Sequence, residues 1–437
     1  MTNDHTNGIS RINERLKRGD AVVMTAQEFK SHVRSGHKFQ VGDVDVVTTA
    51  THGIMSGTAA SFSIPVAPPG SFERAAAAWI NGVPAQPGPA PNERLGSVDL
   101  MVYGTTANGD TAPPYGGGHL FRDLVERQEC TIEVLSTCGK RLKRRFTLDD
   151  LGFARIYSMR NAFKSYMAFG NFRSTTALRS IFSVWPMTAT SGLTVIGSGE
   201  MNPIQNDPNL NAIGIGSLAM INNAPGVVIG SGTLAYSNRP NLSLAADMFD
   251  MDPYFMGGVC TSEGVEVLNA VSIPIPIVDD AALQSVIGAL DENLVLPVAD
   301  VNDRQPFDEM TYGDVWQGPD HDLTFDPSKL DTEGKDIARA AAICPVNAVD
   351  VQAREIDRTR CIRCGACTVE IDSDAFSMNM GTVDIGGKEH PITFRTSDRF
   401  RAMELAESLK SKILSGDVPI RDKLLDITCR QPSPLAD

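Results

Sequence analysis

The sequence predicts a mixed α/β protein, with a large α/β body followed by a small α+β module and a closing helix. Three observations carry that prediction. Residues 1–299 alternate strand-like apolar runs with glycine-rich turns and few helical stretches. Four cysteines crowd into residues 344–367, behind a polar and acidic stretch. The last periodic segment, stopped by Gly416, has the apolar spacing of an amphipathic helix. At 437 residues and 42% hydrophobic content, the chain can form two or three domains and bury a sizeable core. The expected boundaries are a body over 1–299, a linker over 300–335, a module over 336–385, and a helix and tail over 386–437.

The elements follow in order. Ile9 to Arg18 reads as a short helix ended by Gly19, and Ala26 to Ser35 as a second, capped by Thr25 with Glu28 in its first turn. Val44 to Thr49 is strand-like and leads to a turn at His52-Gly53. Residues 64–118 are rich in Pro and Gly and predict loops around short strands. Cys130 to Val134, Leu193 to Gly199 and Ala212 to Gly232 read as strands, the last two buried and broken by glycines. Val271 to Ile277 is a proline-bearing strand, which places it at an edge or in an irregular connection. Ser397 is the expected cap of the terminal helix, with Met403, Ala406, Leu409 and Ile413 on one face.

Cys361, Cys364 and Cys367 form a C-x2-C-x2-C run, and Cys344 precedes a proline. Such a triad wraps one corner of a cuboidal iron–sulfur cluster, and a Cys-Pro from elsewhere closes the site. In two-cluster ferredoxins each half supplies that closing cysteine to the other. Here Cys344 has lost its own triad and the Cys361 triad has lost its trailing cysteine. The two losses are complementary and leave one site, so the chemistry predicted is a single [4Fe–4S] cluster in a ferredoxin-like module. A structural zinc site is the alternative, but zinc cysteines usually come as two separated C-x2-C knuckles.

The net charge of -14 argues against nucleic acid as the main partner. The basic run Lys140 to Arg145 reads as a solvated strand or loop first, and as a small-anion site or docking surface second. No apolar run approaches the ~20 residues that span a bilayer, and no signal-peptide core precedes Asp20. A cluster-binding chain of this kind is expected in the cytoplasm. A symmetric homodimer is the default for a large enzyme. The segments Gly197 to Gly199 and Gly230 to Gly232 lack the dinucleotide spacing, so no nicotinamide cofactor is expected.

Several segments carry a resemblance in order and spacing. They include Gly19 to Val23, Asp45 to Thr49, Tyr115 to His119, Arg160 to Ala162, Asn206 to Pro208, Ile213 to Gly216, Met251 to Pro253 and Ile273 to Ile277. Through these, and through the tail from Val383 to Ile420, the chain resembles the DUF39 family of homocysteine-biosynthesis proteins over most of its length. The resemblance implies L-aspartate-semialdehyde sulfurtransferase chemistry: sulfur from a cysteine persulfide reaches an aldehyde carbon, and reduction yields a thiol. It also implies a sulfur donor (sulfide or a persulfide protein) and an external electron donor. In the family the reducing modules often sit on a separate chain, whereas here one is expected to be fused.

Such chemistry needs a thiolate, a group that polarises the carbonyl, and electrons. Cys138, followed by Gly139-Lys140-Arg141, has cations that favour its thiolate, and it fits the family's motif of a cysteine followed by basic residues. Cys130 reads as core, Cys260 as ambiguous and Cys429 as incidental. The family places a cysteine after a Thr-x-Gly-x-Met turn, and this chain has Ser56 there. Serine cannot hold a persulfide, so Cys138 carries sulfur alone, or the substrate or donor differs, or the transfer step is lost. The substrate-binding candidates are His52, Ser56, His119, Arg160 and Asn161, together with Gly117 and Gly118, whose amides could cradle an oxyanion. Each has a purely structural alternative. Two further readings make the cluster itself the sulfur handler, or make the chain a non-enzymatic electron-transfer or sulfur-relay partner.

Overall fold

The computed structural model describes residues 2–430 apart from 89–90, 110–113, 165, 190–191, 320 and 372, with side chains from Gly8 onward. It is a mixed α/β protein. One sheet of fourteen strands forms the body, and a six-stranded sheet lies beside it.

The shape of the large sheet follows from one turn. Strands Val46–Ile54 and Thr58–Pro65 are separated by only Met55, Ser56 and Gly57 in the chain, yet stand six places apart in the sheet. The intervening strands must curl round to bring the two ends together. Met55 N–H closes the junction on Val267 O at 2.8 Å. Inside the curl, buried Asn269 donates to Thr58 Oγ1 at 2.9 Å and accepts from Asn222 at 2.8 Å, so these buried polar groups satisfy one another.

Strand Val265–Pro276 is paired on both sides, so it is not the edge strand its prolines suggest. The register explains how they are tolerated. Ile277 N–H donates to Asp45 O, so the odd residues point their amides toward Val46–Ile54 and the even ones, Pro274 and Pro276, point away. On that far side, pairing with Leu218–Ile221 reaches only Val271 and Ser272. The missing N–H groups therefore fall where no ladder continues.

Helix Ala26–Arg34 has the expected capping box between Thr25 and Glu28. The terminal helix spans Arg399–Ser415, buries Ala402, Leu405, Ala406, Leu409 and Ile413, and stops at Gly416 with φ +85°. Its cap is Asp398, one residue after the expected Ser397, whose hydroxyl instead accepts from Gly197 N–H.

The six-stranded sheet runs Pro306–Thr311, Val295–Asp300, Ala168–Gly170, Leu193–Val195, Lys388–Arg395, Thr382–Ile385. The expected linker 300–335 thus contributes a strand and the helix Tyr312–Trp316, with Tyr312, Val315 and Trp316 buried. The cysteine segment carries helices Lys335–Ile343 and Ala366–Val369 and a two-stranded ribbon, Val349–Asp350 with Glu355–Ile356. It does not stand apart from the body: Val346, Ala348, Ile362 and Ala366 share an apolar core with Val259, Leu268 and Phe394.

Candidate active site

The triad loop turns tightly because two residues within it adopt left-handed backbone, Arg363 at φ +52° and Gly365 at φ +82°. Arg363 is fixed in that conformation by its side chain, which bonds Asp398 at 2.7 Å and Asp322 at 3.0 Å and lies over Phe400. The loop and Cys344 then converge, so that Cys344, Cys361, Cys364 and Cys367 line one small cavity with Leu323, Pro345 and Ile356. Burial raises all four thiol pKa values, Cys367 to about 12, and their mutual proximity adds to the shift at Cys361, Cys364 and Cys367. Ala348 N–H donates to Cys344 Sγ at 3.2 Å. Among the described residues no three His, Cys, Asp or Glu are placed to hold a single ion.

A second cavity, of about 310 Å3, opens beside the curl of the large sheet. Ser56 and Arg160 meet in its wall, joined by Arg239 and Arg304 and by the aromatic rings of Phe163, Tyr166 and Phe182. Ser56 is bonded to buried Glu266, whose pKa is raised by burial. Arg160 lies over Phe163 and its Nε is buried without a partner. Burial, then Arg304 and Arg239, lower the Arg160 pKa. Ile54 lines this cavity and also packs in the apolar core that holds Cys344, Cys361 and Cys364.

A family model described as "Homocysteine biosynthesis enzyme, sulfur-incorporation" matches residues 21–420. The chain belongs to this family. Its similar relatives include an uncharacterized protein of Methanothermobacter thermautotrophicus, 42% identical over 94% of this chain and 93% of that one. An L-aspartate semialdehyde sulfurtransferase of Methanocaldococcus jannaschii is 29% identical over 80% of this chain and 69% of its own length. The Methanosarcina acetivorans protein of the same name is 27% identical over 71% and 62%. No solved structure matches.

Other predicted residues of this family member lie elsewhere. Cys138 is exposed in the turn after strand Cys130–Ser136, five sheet places from the strand of Arg160. The Ser136 hydroxyl and Lys140 N–H lower its pKa. Cys130 is fully buried, as expected of core. His119 lines a different cavity, with Val346 and Asn347 of the cysteine segment. Its Nδ1 accepts from Gly116 N–H, which places the proton on Nε2, 4.0 Å from Cys260 Sγ. Cys260 N–H donates to Pro345 O at 2.7 Å, so this thiol stands beside Cys344, and burial raises its pKa to about 11.

Three expectations are corrected. Gly117 and Gly118 donate their amides to Thr106 O and Gly104 O, and a Cβ on Gly117 would meet Tyr103 O at 2.2 Å. The triple glycine thus lets helix Gly117–Val125 start against two strands and offers no oxyanion cradle. Asn161 is fully buried and bonds Ser158 O and Leu242 O, so it braces a strand end. His52 is fully buried under the terminal helix, its Nδ1 accepting from Asp398 N–H at 3.3 Å, and does not line the arginine cavity. Sequence reading missed Arg239 and Arg304, which are isolated loop cations without a motif.

Proposed function

We propose that this chain is an iron–sulfur-dependent sulfurtransferase that converts a small carbonyl compound into a thiol. The observation that carries the reading is a shared residue: Ile54 lines the cationic pocket and packs in the apolar core that also holds Cys344, Cys361 and Cys364. The names of the sulfurtransferase relatives support the reaction class, with aspartate semialdehyde as the family default and a related substrate as the variant that Ser56 favours.

The four cysteines fit a [4Fe–4S] group in donor type and number, and in their burial away from water. The space they leave is only about 20 Å3, so seating a cluster turns the thiols outward. When bound, such a group supplies single electrons from an external donor of the reduced-ferredoxin class.

The balance is simple. An aldehyde plus hydrogen sulfide plus two electrons and two protons gives a thiol plus water, and a persulfide donor adds two electrons for its S–S bond. Arg160 orients the substrate, and the Ser56 hydroxyl, positioned by Glu266, polarises the carbonyl oxygen. Cys138 is the entry point for sulfur, because it is exposed and its thiolate is favoured. The approach of Cys260 to His119 favours a second carrier nearer the cluster.

Intact-protein mass spectrometry after loading with a cysteine desulfurase tests this. A gain of one sulfur that vanishes in Cys138→Ser supports the entry role. A gain that survives there and vanishes in Cys260→Ser moves the carrier to Cys260. No gain in the wild type removes the persulfide step.

A further inference from the structure

We infer that Glu266 supplies the proton on which the substrate's oxygen departs, and that the Ser56 hydroxyl passes it into the arginine cavity. This deepens the sulfurtransferase reading and rests on it for the reaction. Replacing a carbonyl oxygen by sulfur includes one step that needs an acid. Sulfur adds to the aldehyde carbon, giving an adduct with a hydroxyl and a thiol on one carbon. A proton goes to the hydroxyl, the C–O bond breaks with its electron pair on oxygen, and water leaves. The carbon–sulfur double bond forms as the S–H proton is released, and that proton restores Glu266 through Ser56. No proton is consumed until the reduction that follows.

The geometry sets up such a relay. Ser56 lines the cavity beside Arg160, because Gly57 lets the turn pack closely: a Cβ there would meet Arg160 Cβ at 2.9 Å. Glu266 is outside the lining, 4% exposed, and bonded to the Ser56 hydroxyl and to Val267 N–H. A hydroxyl can accept a proton on one side while giving up its own on the other. Substrate therefore meets Ser56, and Glu266 acts through it.

Two features suit Glu266 to hold a proton. Its Oε2 is buried with no hydrogen-bond partner, an arrangement that costs a carboxylate more than a neutral acid. Burial raises its pKa, while the bonds from Ser56 and Val267 N–H, and the charge of Arg160 from strand Phe153–Asn161, lower it by less. Its place in the sheet matters too. In strand Val265–Pro276 it shares a face with Leu268 and pairs with Val259, and both of those pack in the core around Cys344, Cys361 and Cys364. The acid thus belongs to the same sheet face as the cysteine core.

The test is the pH profile of thiol formation by full-length protein loaded anaerobically with iron and sulfide. Titanium(III) citrate is the reductant, and aspartate semialdehyde or propanal is given with sodium sulfide. The acid must be protonated to act, so kcat should fall as pH rises through a carboxyl pKa above the ordinary range. Glu266→Gln keeps the size and an acceptor for Ser56 but gives no proton. It should lower kcat about a hundredfold with little change in KM, and erase that alkaline limb. Should it not fold, Ser56→Ala breaks the relay at the cavity wall with the same outcome, and Ser56→Thr, which keeps a hydroxyl, should retain the limb. Infrared spectra give a readout free of turnover. The wild type should show a protonated-carboxyl stretch that survives to higher pH than those of exposed carboxylates and is missing in Glu266→Gln. Absence of that stretch, or a Glu266→Gln protein with its alkaline limb intact, overturns the inference and leaves the sulfurtransferase reading standing. No thiol from either aldehyde with the wild type, the stretch being present, overturns the sulfurtransferase reading, and the relay falls with it.

Discussion

Cys364 and Cys138 carry the same side chain, and the fold gives them opposite characters. Burial and neighbouring thiols push the Cys364 pKa up, while the Ser136 hydroxyl and Lys140 N–H pull that of exposed Cys138 down. In the iron-free protein at pH 7, iodoacetamide should therefore label Cys138 well before Cys364, as read by peptide mass spectrometry. Equal rates would contradict the burial of the triad.

The histidines give a pH dependence with a definite sign. Burial, then Arg360, lowers His119 to about 4, while the unfolded chain titrates near ~6.5. Between those values the unfolded state binds the extra proton, so stability falls on acidification, by up to ~1.4 kcal/mol per pH unit. Urea midpoints at pH 7 and pH 5 should differ less in His119→Gln than in the wild type. An unchanged difference would remove His119 as a source.

At this scale the cysteines were legible because their spacing is itself a chemical signature. Arg239 and Arg304 were not, since only folding brings isolated loop cations to Arg160.

Among elements, the terminal helix shows how much hangs on one cap. Asp398 caps it, accepts from Arg363 of the cysteine loop, pairs with Arg401 and donates its N–H to His52. Arg401 in turn donates to Thr359 O and Cys361 O, so the helix start braces the loop that presents the triad. Asp398→Ala leaves Arg363 and Arg401 without their shared carboxylate and should cost about 3–5 kcal/mol, measured by urea unfolding. It should also speed labelling of Cys361. A loss below ~1 kcal/mol, the value of a cap alone, would show that the pairs contribute little.

The helix was readable from its periodicity and Gly416, but its exact cap was not, because Ser397 and Asp398 are both good caps. The prolines of Val265–Pro276 suggest an edge that the structure does not have; the strand is paired on both sides, and the missing N–H groups fall where the neighbouring strand has ended.

For the whole molecule, the sequence pattern conveys a mixed α/β chain but not its closure. The three-residue junction at Met55–Gly57 forces the large sheet to curl, and no local signal announces that the strands on either side stand six places apart. The second sheet draws strands from 168–195, 295–311 and 382–395, so neither the expected linker nor the module is an independent piece. That interleaving seats the cysteine loop against the body, and Ile54 belongs both to the arginine cavity and to the apolar core around Cys344, Cys361 and Cys364.

The central claim is that the cysteines and the cavity serve one reaction. Its most direct test is a single turnover of full-length protein loaded anaerobically with iron and sulfide, then reduced and freed of reductant. An aldehyde substrate and a sulfur source are added, and the cluster absorbance and free thiol product are followed together. The account predicts that thiol appears as the cluster is oxidised, at one thiol per two reduced protein molecules with sulfide as donor, because each cluster gives one electron and the reaction takes two, and that Cys364→Ala abolishes both signals. Thiol formed at full yield by Cys364→Ala with no iron bound would contradict it.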